Sequence, residues 1–350
     1  MIALFVLYEV DVRLSEIIEP IKHDLEEFER EFKNILKSDI FLIDKVVHYI
    51  VSHRGKRLRP ILVLLTSRLN GNAPSRVSAN GMDPQNLKRL KAAAILELLH
   101  TATLVHDDVV DDSYRRRGFP TVNSIWKNKI SVLMGDYLFS KALLAMLHMG
   151  DVKAFGIISN TAERMSQGEL LQVERSHDFW MEEEIYFRLI ADKTASLLAA
   201  SCQLGALASG QSDAQIESMR DFGEYLGLSF QIRDDLLDLL GVEKNTGKPI
   251  GNDIRENKIT LPLLYALKQA EKKESKRIIK MVRESNGRPA TRSSMREIVN
   301  FIHEHGGVAY ATKTAEDFAG RAISILQSYD DSSIKTALNN LIRFITARDN

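Results

Sequence analysis

Six aspartates in two groups carry the first chemical information in this chain: Asp107-Asp108-Val109-Val110-Asp111 and Asp234-Asp235-Leu236-Leu237-Asp238 repeat one DDxxD spacing 127 positions apart. Each group interrupts an otherwise apolar helical stretch. On a helix the first and fifth residues of DDxxD share a face, so each segment aims two carboxylates one way with a third beside them. Like charges at that spacing cost a helix about 0.2–0.5 kcal/mol per pair unless a cation offsets them. Hard carboxylate oxygens without a companion set of histidines or cysteines suit Mg2+, which takes octahedral oxygen ligands and is usually shared with substrate phosphates. Asp107, Asp108, Asp111, Asp234, Asp235 and Asp238 are therefore the expected metal ligands. Two such groups facing one another would hold a diphosphate between them.

Five further segments carry groups able to meet a phosphate or a developing charge. Gly55-Lys56-Arg57-Leu58-Arg59-Pro60 precedes an apolar helix, where its charges and free N–H groups could bind an anion; alone, it reads more readily as a solvated loop. Arg115-Arg116-Arg117-Gly118 follows the first aspartates closely, and its blandest reading is a salt bridge to those same aspartates. Asp192-Lys193-Thr194 and Phe230-Gln231 are polar interruptions of helical segments. Gly247 to Lys258 is a glycine-containing loop with Lys248 and Lys258, of a type that can wrap phosphates, although GKxxG alone has a high false-positive rate.

The elements that must position these groups are helical. Apolar residues recur at helical rather than alternating spacing almost throughout, which predicts an all-α chain without a convincing run of strands. The expected helices run 15–36, 41–52, 60–69, 84–110, 121–148, 152–176, 182–208, 213–240, 260–269, 274–283, 295–304, 308–328 and 332–346, with Asn70 to Pro74, Asn80-Gly81 and Asn286 to Pro289 as loops. In 350 residues, 44% hydrophobic and 27% charged, there is no Pro/Gly/Ser-rich linker and no short-period repeat, so a single helical domain over 13–350 is expected. Equal numbers of Lys+Arg and Asp+Glu leave no global field to draw in nucleic acid or an anionic membrane. A single cysteine, Cys202 in an Ala/Leu-rich run, excludes an internal disulfide and reads as a small buried thiol in a reducing, cytoplasmic setting. The apolar opening Met1 to Tyr8 lacks a basic flank and meets Glu9 and Asp11 at once; residues 1–12 read as a loose extension, with no transmembrane segment.

Taken in order, these seven pieces resemble the trans-isoprenyl diphosphate synthases over roughly Ser38 to the C-terminus. Glu97 to Ser113, ending in Arg116-Arg117-Gly118, is similar to the first aspartate-rich motif of the long-chain polyprenyl branch, Phe230 to Asp238 to the second, and Lys248 to Pro262 to the loop that follows. The resemblance implies a helical bundle around a central cavity, the isoprenoid synthase fold, packed as a homodimer. It also implies a sequential head-to-tail 1'-4 condensation of isopentenyl diphosphate onto an allylic diphosphate with trans geometry, assisted by three Mg2+ ions. Position by position, Lys56, Arg59, His100 and Arg117 match residues that hold isopentenyl diphosphate, and Arg116, Lys193, Gln231, Lys248 and Lys258 those around the allylic diphosphate. Lys193, Thr194 and Gln231 are expected to turn their dipoles toward the carbocation-like carbon while Asp107, Asp108, Asp111 and Asp234 activate the leaving group. His106 is left as a structural neighbour. Two departures stand out: His53-Arg54 where the family commonly has a further glycine, and Asn257-Lys258 where many long-chain members have Gly-Lys.

Product length is read from the turn above the first aspartates. Thr103 and Ala102 are small where short-chain members place aromatics, which implies a tunnel that continues to a deeper floor, for which Met146, or Phe139 and Met149 nearby, are candidates. The competing readings are a geranylgeranyl or farnesyl diphosphate synthase, an HD-type metal-dependent phosphohydrolase using His106-Asp107, a terpene cyclase, and a non-catalytic subunit of a two-component synthase. The phosphohydrolase leaves the second aspartate group unemployed, the cyclase does not need a second diphosphate site, and a non-catalytic subunit would lack part of the aspartate set.

Overall fold

The computed structural model describes residues 13–53, 55–71, 84–176, 178–240, 251–255, 258–284 and 292–346. The expected extension at 1–12, the loops at 72–74, 80–81 and 286–289, and Lys248, Arg54 and Asn257 lie outside these residues. Helices dominate: α1 Leu14–Ile18, a 3-10 turn Glu19–Ile21, α2 Lys22–Leu36, α3 Phe41–Ser52, α4 Leu58–Thr66, α5 Pro84–Val110, α6 Val122–Met149, α7 Val152–Arg175 and α8 Glu183–Ile190. After a π turn at Ala191–Ala195 come α9 Ser196–Ala208, α10 Asp213–Leu240, α11 Asn252–Arg255, α12 Leu261–Gln269, α13 Lys272–Glu284, α14 Arg292–Glu304, α15 Gly307–Leu326 and α16 Ser333–Thr346.

The periodicity locates the helices but not their interruptions. Pro20 sits in the 3-10 turn that separates α1 from α2, because its ring removes a donor and crowds the preceding turn. Lys127 leaves the helical region (φ 70°, ψ 163°) and kinks α6 where an unbroken helix is expected. One element is missed outright. Arg115–Arg116 (β1) and Phe119–Pro120 (β2) pair antiparallel across Arg117 and Gly118, whose φ values of 52° and 82° are those of a type I′ hairpin turn. Two-residue strands carry no alternation, and an arginine at positive φ is a poor hairpin signal, so the sequence hides this element.

Two long core helices carry the aspartate groups. α5 is buried on most of its circumference from Leu90 to Leu99 and packs along α4, α6 and α9. α10 packs along α9 and α15 and buries a stripe at Ile216, Met219, Phe222, Leu226, Ile232, Leu236 and Leu239. That stripe passes through Asp235, which is 5% exposed, whereas Asp234 is exposed and Asp238 half-buried. Backbones come close where α7, α10 and the π turn meet. A Cβ on Gly168 would lie 2.6 Å from the Lys193 nitrogen, and one on Gly227 2.5 Å from the Ala195 Cα. Any larger residue there would displace the π turn.

The charged cluster on α2 belongs to the fold. Asp24 accepts from both Arg89 (2.8 and 2.9 Å) and Arg68 (2.8 Å), and Glu27 from Asn86 (3.2 Å), so a buried acid and two arginines pin α2 to α5 and the end of α4. Cys202 is fully buried as expected, and burial pushes its thiol far above the ordinary range.

Candidate active site

The two aspartate groups are brought together through Lys258. At the end of α5, Asp111 lies just past the last helical residue, with its N–H on the Asp107 carbonyl (2.8 Å), and Asp112 at φ 47° turns the chain away. From the other side, the Asp238 carboxylate accepts from the Asp253 N–H (2.9 Å), the Asp253 carbonyl accepts from the Lys258 N–H (2.8 Å), and the Lys258 ammonium reaches Asp111 at 3.7 Å. The segment after the second group thus returns to the first. Lys193 adds positive charge beside the first group: its ammonium lies 2.5 Å from Glu169 and 3.0 Å from Gln172 on α7, and its charge acts on Asp107.

Burial raises three of these carboxyls. Burial, and then Glu169, push Asp107 up to about 6, against the pull of Lys193 and Arg116. Burial also raises Asp108, although Arg116 holds it at 2.8 Å. The bland reading of the arginine run, a salt bridge to the first aspartates, is thus realised by Arg116. Asp235 is pushed up to about 7 by burial, while hydrogen bonds from Gln231 (2.8 Å) and Tyr186 (2.7 Å) pull the other way. Hard oxygen donors whose charge burial disfavours fit a divalent cation. Among the described residues, the metal-like set whose ligand atoms converge within 4.8 Å is His23, Asp24 and Glu27, whose two acids are already satisfied by Arg68, Arg89 and Asn86. The two motifs form no such closed cage, in keeping with an ion that takes part of its shell from substrate and water.

Opposite the acids lies a cationic nest. A Cβ on Gly55 would fall 2.1 Å from an Arg117 guanidinium nitrogen, so the loop before α4 and the hairpin tip are packed together. Arg59 is half-buried, its Nε has no hydrogen-bond partner, and burial with Arg117 nearby lowers it to about 10 against the pull of Glu97. Burial, reinforced by Arg59, Arg117, Arg116 and Arg57, drives His100 well below its ordinary value. Lys56 stands at the edge with its ammonium 4.7 Å from the Phe344 ring. Four guanidiniums around a neutral histidine describe a site short of an anion.

Between these halves, Thr194 donates to the Gln231 side-chain oxygen (2.8 Å) and the Gln231 amide donates to Asp235 (2.8 Å), bringing three expected residues into one chain. His106 turns the other way, with Nε2 3.2 Å from the Val132 carbonyl and 3.3 Å from Asp136, so it braces α5 on α6 and does not join Asp107 in an HD pair. Thr103 is half-buried one turn above Asp107, whereas Ala102 and Met146 are buried in the core and Phe139 is exposed on α6. His53, in place of a glycine, stacks between Tyr49 and Phe119 and ties α3 to the hairpin.

Several supports were not foreseen. Arg57 is held by Glu97 (2.6 Å) and Glu29 (3.3 Å) with its φ at 56°, which fixes the loop between Lys56 and Arg59. Arg164 clamps Asp192 (2.7 Å) to Glu224 (3.0 and 3.2 Å), securing the π turn beside Lys193. Asn123 bonds the Asp108 carbonyl at 3.0 Å. These contacts join residues 15 to 60 positions apart, so no local pattern announces them.

The polyprenyl synthetase family model matches residues 41–302. Heptaprenyl diphosphate synthase component 2 of Geobacillus stearothermophilus is 32% identical over 97% of this chain and 100% of its own length. Octaprenyl diphosphate synthase of Escherichia coli (strain K12) is 34% identical over 90% of this chain and 92% of its own. A crystal structure of a polyprenyl synthase from Caulobacter crescentus CB15, complexed with calcium and isoprenyl diphosphate, superposes with a TM-score of 0.85 at 33% identity, covering 97% of this chain and 98% of that one.

The lowered His100 has a measurable consequence. Unfolded, this histidine binds a proton below about 6.5, while the folded site refuses it, so stability is complete above that pH and is lost as pH falls toward the lower folded value. In urea titrations between pH 7.5 and 5.5, the His100→Gln variant is expected to show a shallower loss of stability than the parent. Equal slopes would show that His100 does not face the guanidiniums.

Proposed function

This chain belongs to the polyprenyl synthetase family and is a prenyltransferase, and on that premise we propose that it condenses isopentenyl diphosphate repeatedly onto an allylic diphosphate to give a long-chain all-trans product. The observation that carries this reading is the pair of acidic helix ends brought together through Lys258, with Lys193 beside the first and a separate cationic nest flanking them. Two diphosphates need two sites. Arg59, His100 and Arg117, with Lys56 at the rim, suit isopentenyl diphosphate, whose charge the guanidiniums match without a metal. The allylic diphosphate belongs beside Arg116, Lys193 and Lys258; Lys248, also expected there, lies outside the described residues.

Asp107, Asp111, Asp234 and Asp238 share faces of their helices and would hold Mg2+, three ions in all, with Asp108 and Asp235 behind them. Bound there, the ions would neutralise the allylic diphosphate and make it a leaving group. As the allylic C1–O bond breaks, positive charge grows at C1. The Thr194 hydroxyl gives its hydrogen to Gln231, so its oxygen lone pairs remain for that charge, where more lysines would repel it. The double bond of isopentenyl diphosphate then attacks C1, the new C–C bond forms, and a proton leaves to the departing diphosphate.

A second copy of this chain fits the exposed face of α6. Val132, Leu133, Leu143, Leu144 and Leu147 stand out along it, continued by Val152 and Phe155 of α7, a longer apolar strip than monomers leave in water. By length and composition α6 could also cross a bilayer, but it is kinked at Lys127, and 39% of its apolar window is buried within the fold. A homodimer is the reading that uses both faces. Sedimentation of the full chain is expected to give a dimer, and Leu144→Glu a monomer; a monomeric parent protein would exclude this surface.

Incubating the pure chain with isopentenyl diphosphate, farnesyl diphosphate and Mg2+, then sizing the lipid by mass spectrometry, tests the activity. Asp107→Ala and Asp234→Ala are each expected to lower turnover by about 10²- to 10³-fold or more with the helical spectrum retained. Near-normal turnover by either variant under saturating Mg2+ would refute its role as a ligand. Thr103→Phe, one turn above Asp107, is expected to shorten the product while prenyl transfer continues, and Ala102→Phe to disturb core packing first. An unchanged product distribution in Thr103→Phe would place the tunnel elsewhere.

A further inference from the structure

We propose that Tyr186 is a positioning residue for prenyl transfer, acting through Asp235 and Gln231 on the hydroxyl of Thr194. This deepens the prenyltransferase reading and rests on it. Tyr186 lies on α8, seven residues before Lys193, and is 2% exposed. Its hydroxyl donates to the Asp235 carboxylate at 2.7 Å.

Each further bond is forced by the one before it. A carboxylate only accepts, so the other Asp235 oxygen, 2.8 Å from Gln231, must face the amide nitrogen and not the amide oxygen. The Gln231 oxygen is thereby turned to Thr194, 2.8 Å away, and can only receive its hydrogen. The hydroxyl rotor of Thr194 is locked with its lone pairs free. Without Tyr186, Asp235 keeps one partner, its carboxylate can rotate, and the amide of Gln231 can flip. The flipped amide would offer N–H to Thr194, whose hydrogen would then swing toward the developing cation, the wrong polarity for stabilising it.

The relay explains why Asp235, unlike Asp234, lies on the buried stripe of α10, and it links α8, α10 and the π turn through side chains that carry no positive charge for a diphosphate. Its removal should therefore affect the chemical step and not binding.

Tyr186→Phe keeps the ring and removes only the hydroxyl. With isopentenyl and farnesyl diphosphates and Mg2+, it is expected to lower kcat by about 10- to 100-fold, the usual effect of losing a group that orients a reacting one, while both KM values stay within about twofold. In a Thr194→Val background, which already lacks the hydroxyl being oriented, the same change is expected to cost little more. A purely structural role would add its cost in both backgrounds. If the phenylalanine variant does not fold, 3-fluorotyrosine at position 186 keeps the packing while altering the hydroxyl, and kcat should shift with KM unchanged. An active parent with an unaffected Tyr186→Phe, a loss confined to KM, full additivity with Thr194→Val, or a fluorotyrosine protein unchanged in kcat would each overturn the relay alone. A parent inert toward these substrates would sink the prenyltransferase reading, and the relay with it.

Discussion

Negative charge collected at the C-terminal ends of two core helices is the constraint from which the rest of this structure follows. Asp107 and Asp108 lie in the last turn of α5 with Asp111 just beyond, and Asp238 lies in the last turn of α10 with Asp234 and Asp235 one turn earlier. Helix carbonyls already concentrate negative potential there, so carboxylates at that end are unfavourable and cations favourable. Burial, and then Glu169, push Asp107 up to about 6, and burial pushes Asp235 up to about 7. The surrounding basic groups act against it: Arg116 on Asp108, Lys258 on Asp111, and Lys193 between Asp107 and Glu169. In the proposed function, a divalent cation with a polyanionic substrate would complete what these single charges leave unfinished.

Backbone strain gathers around the same cavity. The non-glycine residues with positive φ among those described are Arg57, Asp112, Arg117 and Lys127, and three of them sit in the loops that frame the site. Each such conformation costs about 1–2 kcal/mol for a residue with a Cβ. The expense is offset locally: Arg57 is anchored on Glu97 and Glu29 and lies over the Phe32 ring, and Arg117 packs into the space left by Gly55. The result brings the guanidiniums together around His100, an arrangement that repels itself until an anion arrives. The fold therefore gathers charge of both signs in one place, as the proposed site for two diphosphates and divalent cations would require.

The π turn connects these halves. It departs from the helix expected over 182–208 at the residues that carry chemistry, Lys193 and Thr194, as extra-residue bulges in helices often do at functional sites. Gly168 and Gly227 let neighbouring backbones close on it, Arg164 clamps Asp192, and Tyr186 secures the far side through Asp235. The turn is thus held by packing on two faces and by charge on a third.

How much was legible in the residues alone depends on how far apart the interacting groups lie. The helices, the two DDxxD groups and the basic segments were readable, because helical periodicity and the i, i+4 face are properties of a few consecutive residues, and the buried Cys202 followed from its apolar neighbours in the same way. The hairpin at Arg115–Pro120, the kink at Lys127 and the π turn were not, since each is a short departure whose stability comes from residues elsewhere. Grouping Asp235 with Asp234 followed the motif, whereas the apolar stripe of α10 already ran through position 235 and marked it as inward-facing. Only the packed chain decided what that inward carboxylate meets, because Tyr186 lies 49 residues away, and a hydrogen bond depends on position and direction in three dimensions that no spacing along the chain encodes.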